Sequence, residues 1–116
     1  MGKVVAMVDD LFFLAKISQT AKQIGVDLET AGNMDLLLEK ASTNPALILL
    51  DLNSRAGALE ALRRLRAAGN QTPVVAFLSH VQTELAEQAR AAGCTEIMPR
   101  SKFTQDLAAI LQRAKA

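Results

Sequence analysis

Four places in the chain run from apolar sequence into side chains that can do chemistry. VVAMV leads into Asp9 and Asp10, ALILL into Asp51 and then Asn53, PVVAFL into Ser79 and His80, and TEIMP into Arg100. Three carboxylates brought to one place repel one another by about 1 to 4 kcal/mol per pair at a separation of ~4 Å, depending on the local dielectric. A cation must offset that repulsion. Mg²⁺ is the expected one, because it takes hard oxygen ligands, keeps several waters, and is commonly held by one or two carboxylates together with a phosphate. Asp9, Asp10 and Asp51 are its expected ligands, with Asp10 the more direct of the acidic pair, and the backbone carbonyl of Asn53 completes the set.

The elements around these residues must bring them together. Short apolar runs at Lys3 to Val8, Val26 to Ala31, Ala46 to Leu50, Pro73 to Leu78 and Thr95 to Met98 alternate with amphipathic segments, the pattern of an α/β domain around a parallel sheet. The first, third and fourth runs are continuously apolar, as strands covered by helices on both faces should be. The second and fifth mix in polar residues and suit edges. The first helix is expected to bury Leu14, Ile17, Ala21 and Ile24 and to stop at Gly25. Asn33 caps a second helix carrying Leu36, Leu37 and Leu38, which ends near Asn44 and Pro45. A third turns Leu59, Leu62 and Leu65 inward and Arg63, Arg64 and Arg66 outward, ending at Gly69. A fourth uses Val81, Leu85 and Ala89 and ends at Gly93. The last presents Phe103, Leu107, Ile110 and Leu111, with Ser101 or Thr104 as its cap. Right-handed crossovers place helices on both faces, and five strands are too few to close a barrel. The expectation is a doubly wound (βα)5 flavodoxin-like sheet in the order 2-1-3-4-5, one domain over residues 1–116. In such a sheet the functional crevice lies beyond the carboxyl ends of the strands, where all the polar residues above fall.

Composition bounds the partners. The chain has 116 residues, 13 basic against 12 acidic side chains, a formal net charge of +1, four Phe, no Trp or Tyr, and one Cys. Near-neutrality gives no overall pull toward nucleic acid or an anionic membrane, and few aromatics leave no base-stacking surface. The apolar start is broken at once by Asp9 and Asp10, too short for a signal peptide or a membrane span. A lone Cys94 makes no internal disulfide, which points to a reducing, cytoplasmic setting and to a buried small side chain.

This arrangement resembles the receiver domain of two-component response regulators, of the chemotaxis-receiver type. The resemblance covers the whole chain and rests on the acidic pair in VDD, the strand LILLDLN with Asp51, the run TPVVAF, the Ala92-Gly93 pair, and a basic residue after the fifth strand. It implies that Asp51 is the phosphoacceptor, attacking a phosphohistidine of a sensor histidine kinase or phosphotransfer protein, with the acidic pair positioning Mg²⁺. A carboxylate is a competent nucleophile toward phosphorus when a cation neutralises the charges that meet. The product would signal to a downstream protein through contacts around the fourth helix, fifth strand and fifth helix, from a monomer or weak homodimer.

The chain departs from that pattern at several positions. Arg100 stands where the family has Lys, and Arg is a planar fork rather than a point charge; it either grips phosphoryl oxygens or pairs with Asp51 when no phosphate is present. Leu78 falls where the family has a hydroxyl, and Ser79 takes that role only with a one-residue shift in the fourth strand. Ile97 replaces the switch aromatic, and the loop LNSRAGA lacks the usual Pro. These changes mark an atypical receiver. They also keep a second reading open, a phosphorylation-independent pseudo-receiver acting as a protein interaction module. An unrelated nucleotide binder or hydrolase would need a Gly-rich phosphate loop or a Ser-His-acid set, and the sequence has neither. Plainer roles stand beside each assignment: Asp10 or Asp9 as a helix cap, Arg100 as a surface cation bridging to the acidic cluster, His80 as a solvated loop residue.

Overall fold

A computed structural model of the chain describes residues 2–79 and 82–115; His80 and Val81, expected in a solvated loop and in an apolar helical stripe, lie outside them. Strands β1 (Lys3–Met7), β2 (Asp27–Thr30), β3 (Leu47–Asp51), β4 (Val74–Leu78) and β5 (Glu96–Pro99) form one parallel sheet in the order β2-β1-β3-β4-β5. Every residue of β3 and β4 is buried, whereas β2 and β5 contain no fully buried position. The polar residues in the second and fifth runs therefore mark the two edges, as expected.

Helices cover both faces. Alternation along β4 turns Val74, Ala76 and Leu78 to one side, where α2 (Met34–Ala41), α3 (Ala58–Ala67) and α4 (Thr83–Ala91) supply Leu37, Leu62, Leu65 and Ala89. It turns Val75 and Phe77 to the other, where α1 (Leu11–Ile24), α5 (Arg100–Gln105) and α6 (Leu107–Gln112) supply Phe13, Ile17, Phe103, Ile110 and Leu111. Each large aliphatic or aromatic side chain so enclosed stabilises the fold by about 1.5 to 3 kcal/mol relative to exposure.

The helix ends follow local chemistry. Asp10 Oδ1 accepts from the Phe12 and Phe13 amides at 2.9 and 3.1 Å, and Asn33 Oδ1 accepts from the Leu36 amide at 2.8 Å. Gly25 closes α1 at φ 86°, a left-handed turn that a residue with a Cβ adopts only under strain.

Several expectations need correction. Ile17 and Ala21 of α1 are buried as expected, but Phe13 leads the stripe while Leu14 and Ile24 lie partly buried at its border, because the Asp10 cap fixes where the first turn begins and swings Phe13 inward. Of the three leucines expected to face inward on α2, Leu37 is fully buried, Leu38 is partly buried and Leu36 is exposed. The final helix is two: the chain breaks at Asp106, and Ser101 and Thr104 lie inside α5, which follows Pro99 without a side-chain cap. Arg66 does not face outward with Arg63 and Arg64. Its guanidinium folds back to donate to the carbonyls of Asn70, Thr72 and Gly93 at 2.8 to 3.0 Å, tying the end of α3 to the turn before β5. Among the described residues no helix is long and apolar enough to cross a membrane.

Candidate functional site

The parallel topology brings the carboxyl ends of β1, β3, β4 and β5 to one rim, and with them Asp9, Asp10, Asp51, Asn53, Ser79 and Arg100. Asp51 ends the central strand β3, where only 8% of its surface reaches solvent. Its Oδ1 accepts from the Asn53 amide at 2.9 Å. Burial pushes its pKa above the ordinary carboxylate value and the Asp9 charge adds to that, while the Asn53 amide, the Asp9 amide and Arg100 oppose it.

The acidic pair divides its work. Asp9 turns toward the loop after β3, its Oδ1 accepting from the Ser54 hydroxyl at 2.8 Å and its Oδ2 from the Arg55 amide at 2.8 Å. Asp10 spends Oδ1 on the cap of α1 and Oδ2 on Arg100 Nη2 at 3.1 Å. The Phe13 amide is the largest influence holding the Asp10 pKa below its ordinary value; the Phe12 amide and Arg100 act the same way and partial desolvation opposes them.

Arg100 thus pairs with Asp10, not with Asp51. Its guanidinium also lies over the Phe13 ring, 4.3 Å from the centroid, and 5.8 Å from that of Phe77, both within the range of cation–π attraction. Phe13, Phe77 and Phe103 pack against one another beneath it at centroid separations of 4.5 to 5.8 Å.

On the other side of Asp51, β4 pairs residue for residue with β3 and β5, without a bulge. Leu78 therefore keeps the last strand position, 4% exposed and turned into the core beneath α2 to α4, and Ser79 takes the next one. The Ser79 amide and hydroxyl both donate to Asn53 Oδ1, at 2.8 and 3.2 Å, and Asn53 Nδ2 donates to Gln82 Oε1 at 2.9 Å. Ile97, partly buried in β5, packs against the same core as Leu78.

The parallel strand order is shared with solved structures. The architecture is similar to the chemotaxis response regulator CheY4 of Vibrio cholerae at a TM-score of 0.83 and 24% identity, over 98% of each chain. It is similar to the receiver domain of the Francisella response regulator 1452 at 0.85 and 20% identity, over 99% of this chain and 98% of that one. A response regulator receiver domain from Clostridium thermocellum matches at 0.82 and 19% identity, over 98% and 94%. The chain has the receiver-domain fold. No family model matches the sequence, and no curated protein matches it.

Within that receiver fold, the expected site residues share one rim, but the three carboxylates do not converge as a set. Among the described residues no three Asp, Glu, His or Cys side chains form a group able to hold a metal ion. Mg²⁺ does not require three, since it is commonly bound through one or two carboxylates with water and phosphate. The rim supplies oxygen donors of that kind in Asp9, Asp10, Asp51 and the Asn53 carbonyl, and the guanidinium on Asp10 Oδ2 marks that oxygen as a place where positive charge is favoured.

Sequence reasoning missed Ser54, Gln82 and Phe13. Ser54 is buried and carries the bond to Asp9; its signal is a small hydroxyl residue three places after Asp51 in a loop facing the acidic pair. Phe13 had one too: it lies four and eight residues before Ile17 and Ala21, which puts it on their buried face.

Proposed function

We propose that the chain is a receiver-type signalling domain in which Asp51 accepts a phosphoryl group. A carboxylate oxygen of Asp51 attacks the phosphorus of an N-phosphohistidine on a sensor histidine kinase or phosphotransfer protein. The P–N bond breaks, its electron pair returns to the imidazole nitrogen, and an acyl phosphate remains on Asp51. The observation that carries this reading is the position of Asp51 at the end of the central strand, buried next to Asp9 and on one rim with the cation Arg100. Mg²⁺ bound by Asp51, Asp10 and the Asn53 carbonyl would neutralise the charges that meet there. Arg100, a five-donor fork, suits the phosphoryl oxygens. The signal passes to a downstream protein by contact, with the cleft between α4 and β5, lined by Leu78, Ile97 and Met98, on the face concerned. Incubation with acetyl phosphate or phosphoramidate and Mg²⁺, followed by intact mass measurement, tests the reading: wild type gains one phosphoryl group and Asp51→Asn none. No gain on wild type, or a gain that persists in Asp51→Asn, sinks it.

One observation favours a second reading, an interaction module that works without phosphate: all four carboxylate oxygens of Asp9 and Asp10 already have partners inside the protein. Thermal stability followed during a Mg²⁺ titration separates the two. A binder gains about 2.7 kcal/mol at a hundredfold excess over its dissociation constant, and a flat response favours the module.

A further inference from the structure

Arg100 has two holders of different kinds. Asp10 Oδ2 binds it through charge at 3.1 Å, and the Phe13 ring binds it through its face at 4.3 Å. The two differ in permanence. The Asp10 carboxylate is exposed and is itself a candidate ligand for any cation that enters the rim, so its hold on Arg100 is open to competition. The Phe13 ring is not. It is 9% exposed, set edge-on to Phe77 at an interplanar angle of 79° and tilted against Phe103. Those three rings come from α1, β4 and α5, so the ring face is fixed by the core itself. A divalent cation that takes oxygen ligands does not compete for it.

We propose that Phe13 is the positioning residue for Arg100, holding the guanidinium at the mouth of the site whether or not Asp10 is available. The inference rests on the phosphoacceptor reading for its purpose and on the aromatic packing for its geometry. When Asp10 gives up its outer oxygen to a divalent cation, an arginine held by the carboxylate alone would be released to water. An arginine seated on Phe13 stays beside Asp51 with its donors unpaired and ready for an incoming phosphoryl anion. A lysine would not use this seat in the same way, because the planar guanidinium stacks on an aromatic face while the ammonium is compact and strongly hydrated. The aromatic seat and the arginine thus belong together.

The test separates this inference from the reading it rests on. Protons above an aromatic ring resonate upfield, so the Arg100 Nε–H signal in a ¹⁵N-correlated spectrum reports the seat directly. Asp10→Asn removes the charge partner while keeping a good helix cap. The upfield position is expected in wild type, retained in Asp10→Asn, and lost in Phe13→Leu. Collapse to the free-arginine position in Asp10→Asn overturns the inference, and that variant leaves the core untouched. In the functional arm, with acetyl phosphate and Mg²⁺, Phe13→Leu should raise the acetyl phosphate concentration for half-maximal labelling about three- to tenfold. Phe13→Leu combined with Arg100→Gln should be no worse than Arg100→Gln alone, whereas additive losses overturn the positioning role. If wild type takes no phosphate at all, the phosphoacceptor reading falls and the spectrum alone decides where Arg100 sits.

Discussion

Asn53 and Ser79 are joined across the mouth of the site, with both the amide and the hydroxyl of Ser79 donating to the Asn53 side-chain oxygen. Through Gln82 the same side chain reaches the start of α4. The loops after β3 and β4 are therefore one hydrogen-bonded unit beside Asp51, and it is built on an exposed asparagine.

Asn53→Ala should loosen that unit without unfolding the domain. Each bond of this kind contributes about 0.5 to 1.5 kcal/mol net, so the Ser79 amide should exchange with solvent roughly three- to tenfold faster while the denaturation midpoint moves little. Hydrogen exchange by NMR measures both. Equal exchange in the two proteins would mean that the bond does not restrain the loop.

The two carboxylates at either end of the rim should respond to pH with opposite signs. The Asp51 pKa is raised in the folded state, so the native protein holds the extra proton between the unfolded value, near 3.9, and the folded one. Its destabilising contribution appears as pH rises through that interval and is complete above it. Asp51→Asn should gain on wild type at neutral pH, and the gain should close in acid. The Asp10 pKa is lowered, so its contribution is complete above the unfolded value and lost as pH falls through the folded one. The advantage of wild type over Asp10→Asn should fade as pH falls below the unfolded value. Urea denaturation across a pH series checks both slopes.

Leu78→Ala should cost about 2 to 4 kcal/mol, because the side chain is enclosed in the core and the flanking strands leave little room to collapse. Its chemical denaturation midpoint is the measurement. A cost near zero would show that the end of β4 is not packed as described.

Arg66→Ala should destabilise by about 1 to 3 kcal/mol, since three backbone carbonyls lose a charged donor. The loss should be read first in faster exchange around Gly93 and the start of β5, and second in the global midpoint. Arg63→Ala and Arg64→Ala, whose side chains are about half exposed and pair with Glu60, should change the midpoint by no more than about 0.5 kcal/mol.

Much of this was legible in the sequence, for a physical reason. Continuous apolar runs such as ALILL and PVVAFL have one stable home, a strand covered on both faces, and carboxylates placed after them must fall on a common rim. What was not legible depends on where a side chain's tip goes after its Cβ is placed. Arg66 lies four residues after Leu62, on the border between the buried and exposed faces of α3, and only the neighbouring loop decides that its guanidinium turns inward. Arg100 and Asp51 share a rim in any arrangement of this fold, but the cap geometry of Asp10 and the ring of Phe13 decide which carboxylate the arginine meets. The break at Asp106 has no local signal either, because FTQDLAAIL reads as one helix until α5 and α6 must each follow a different neighbour.

The Asp10–Arg100 bond joins residues 90 positions apart, and Lys115 reaches back to the Ile24 carbonyl over 91. Closing so long a loop rewards the chain only after the intervening strands have aligned. A ribosome that has made the protein only as far as Pro99 has produced every carboxylate of the rim and no arginine to answer them. The charge balance of the rim is therefore among the last features the growing molecule acquires, and its presence certifies that the whole sheet has been laid down in order.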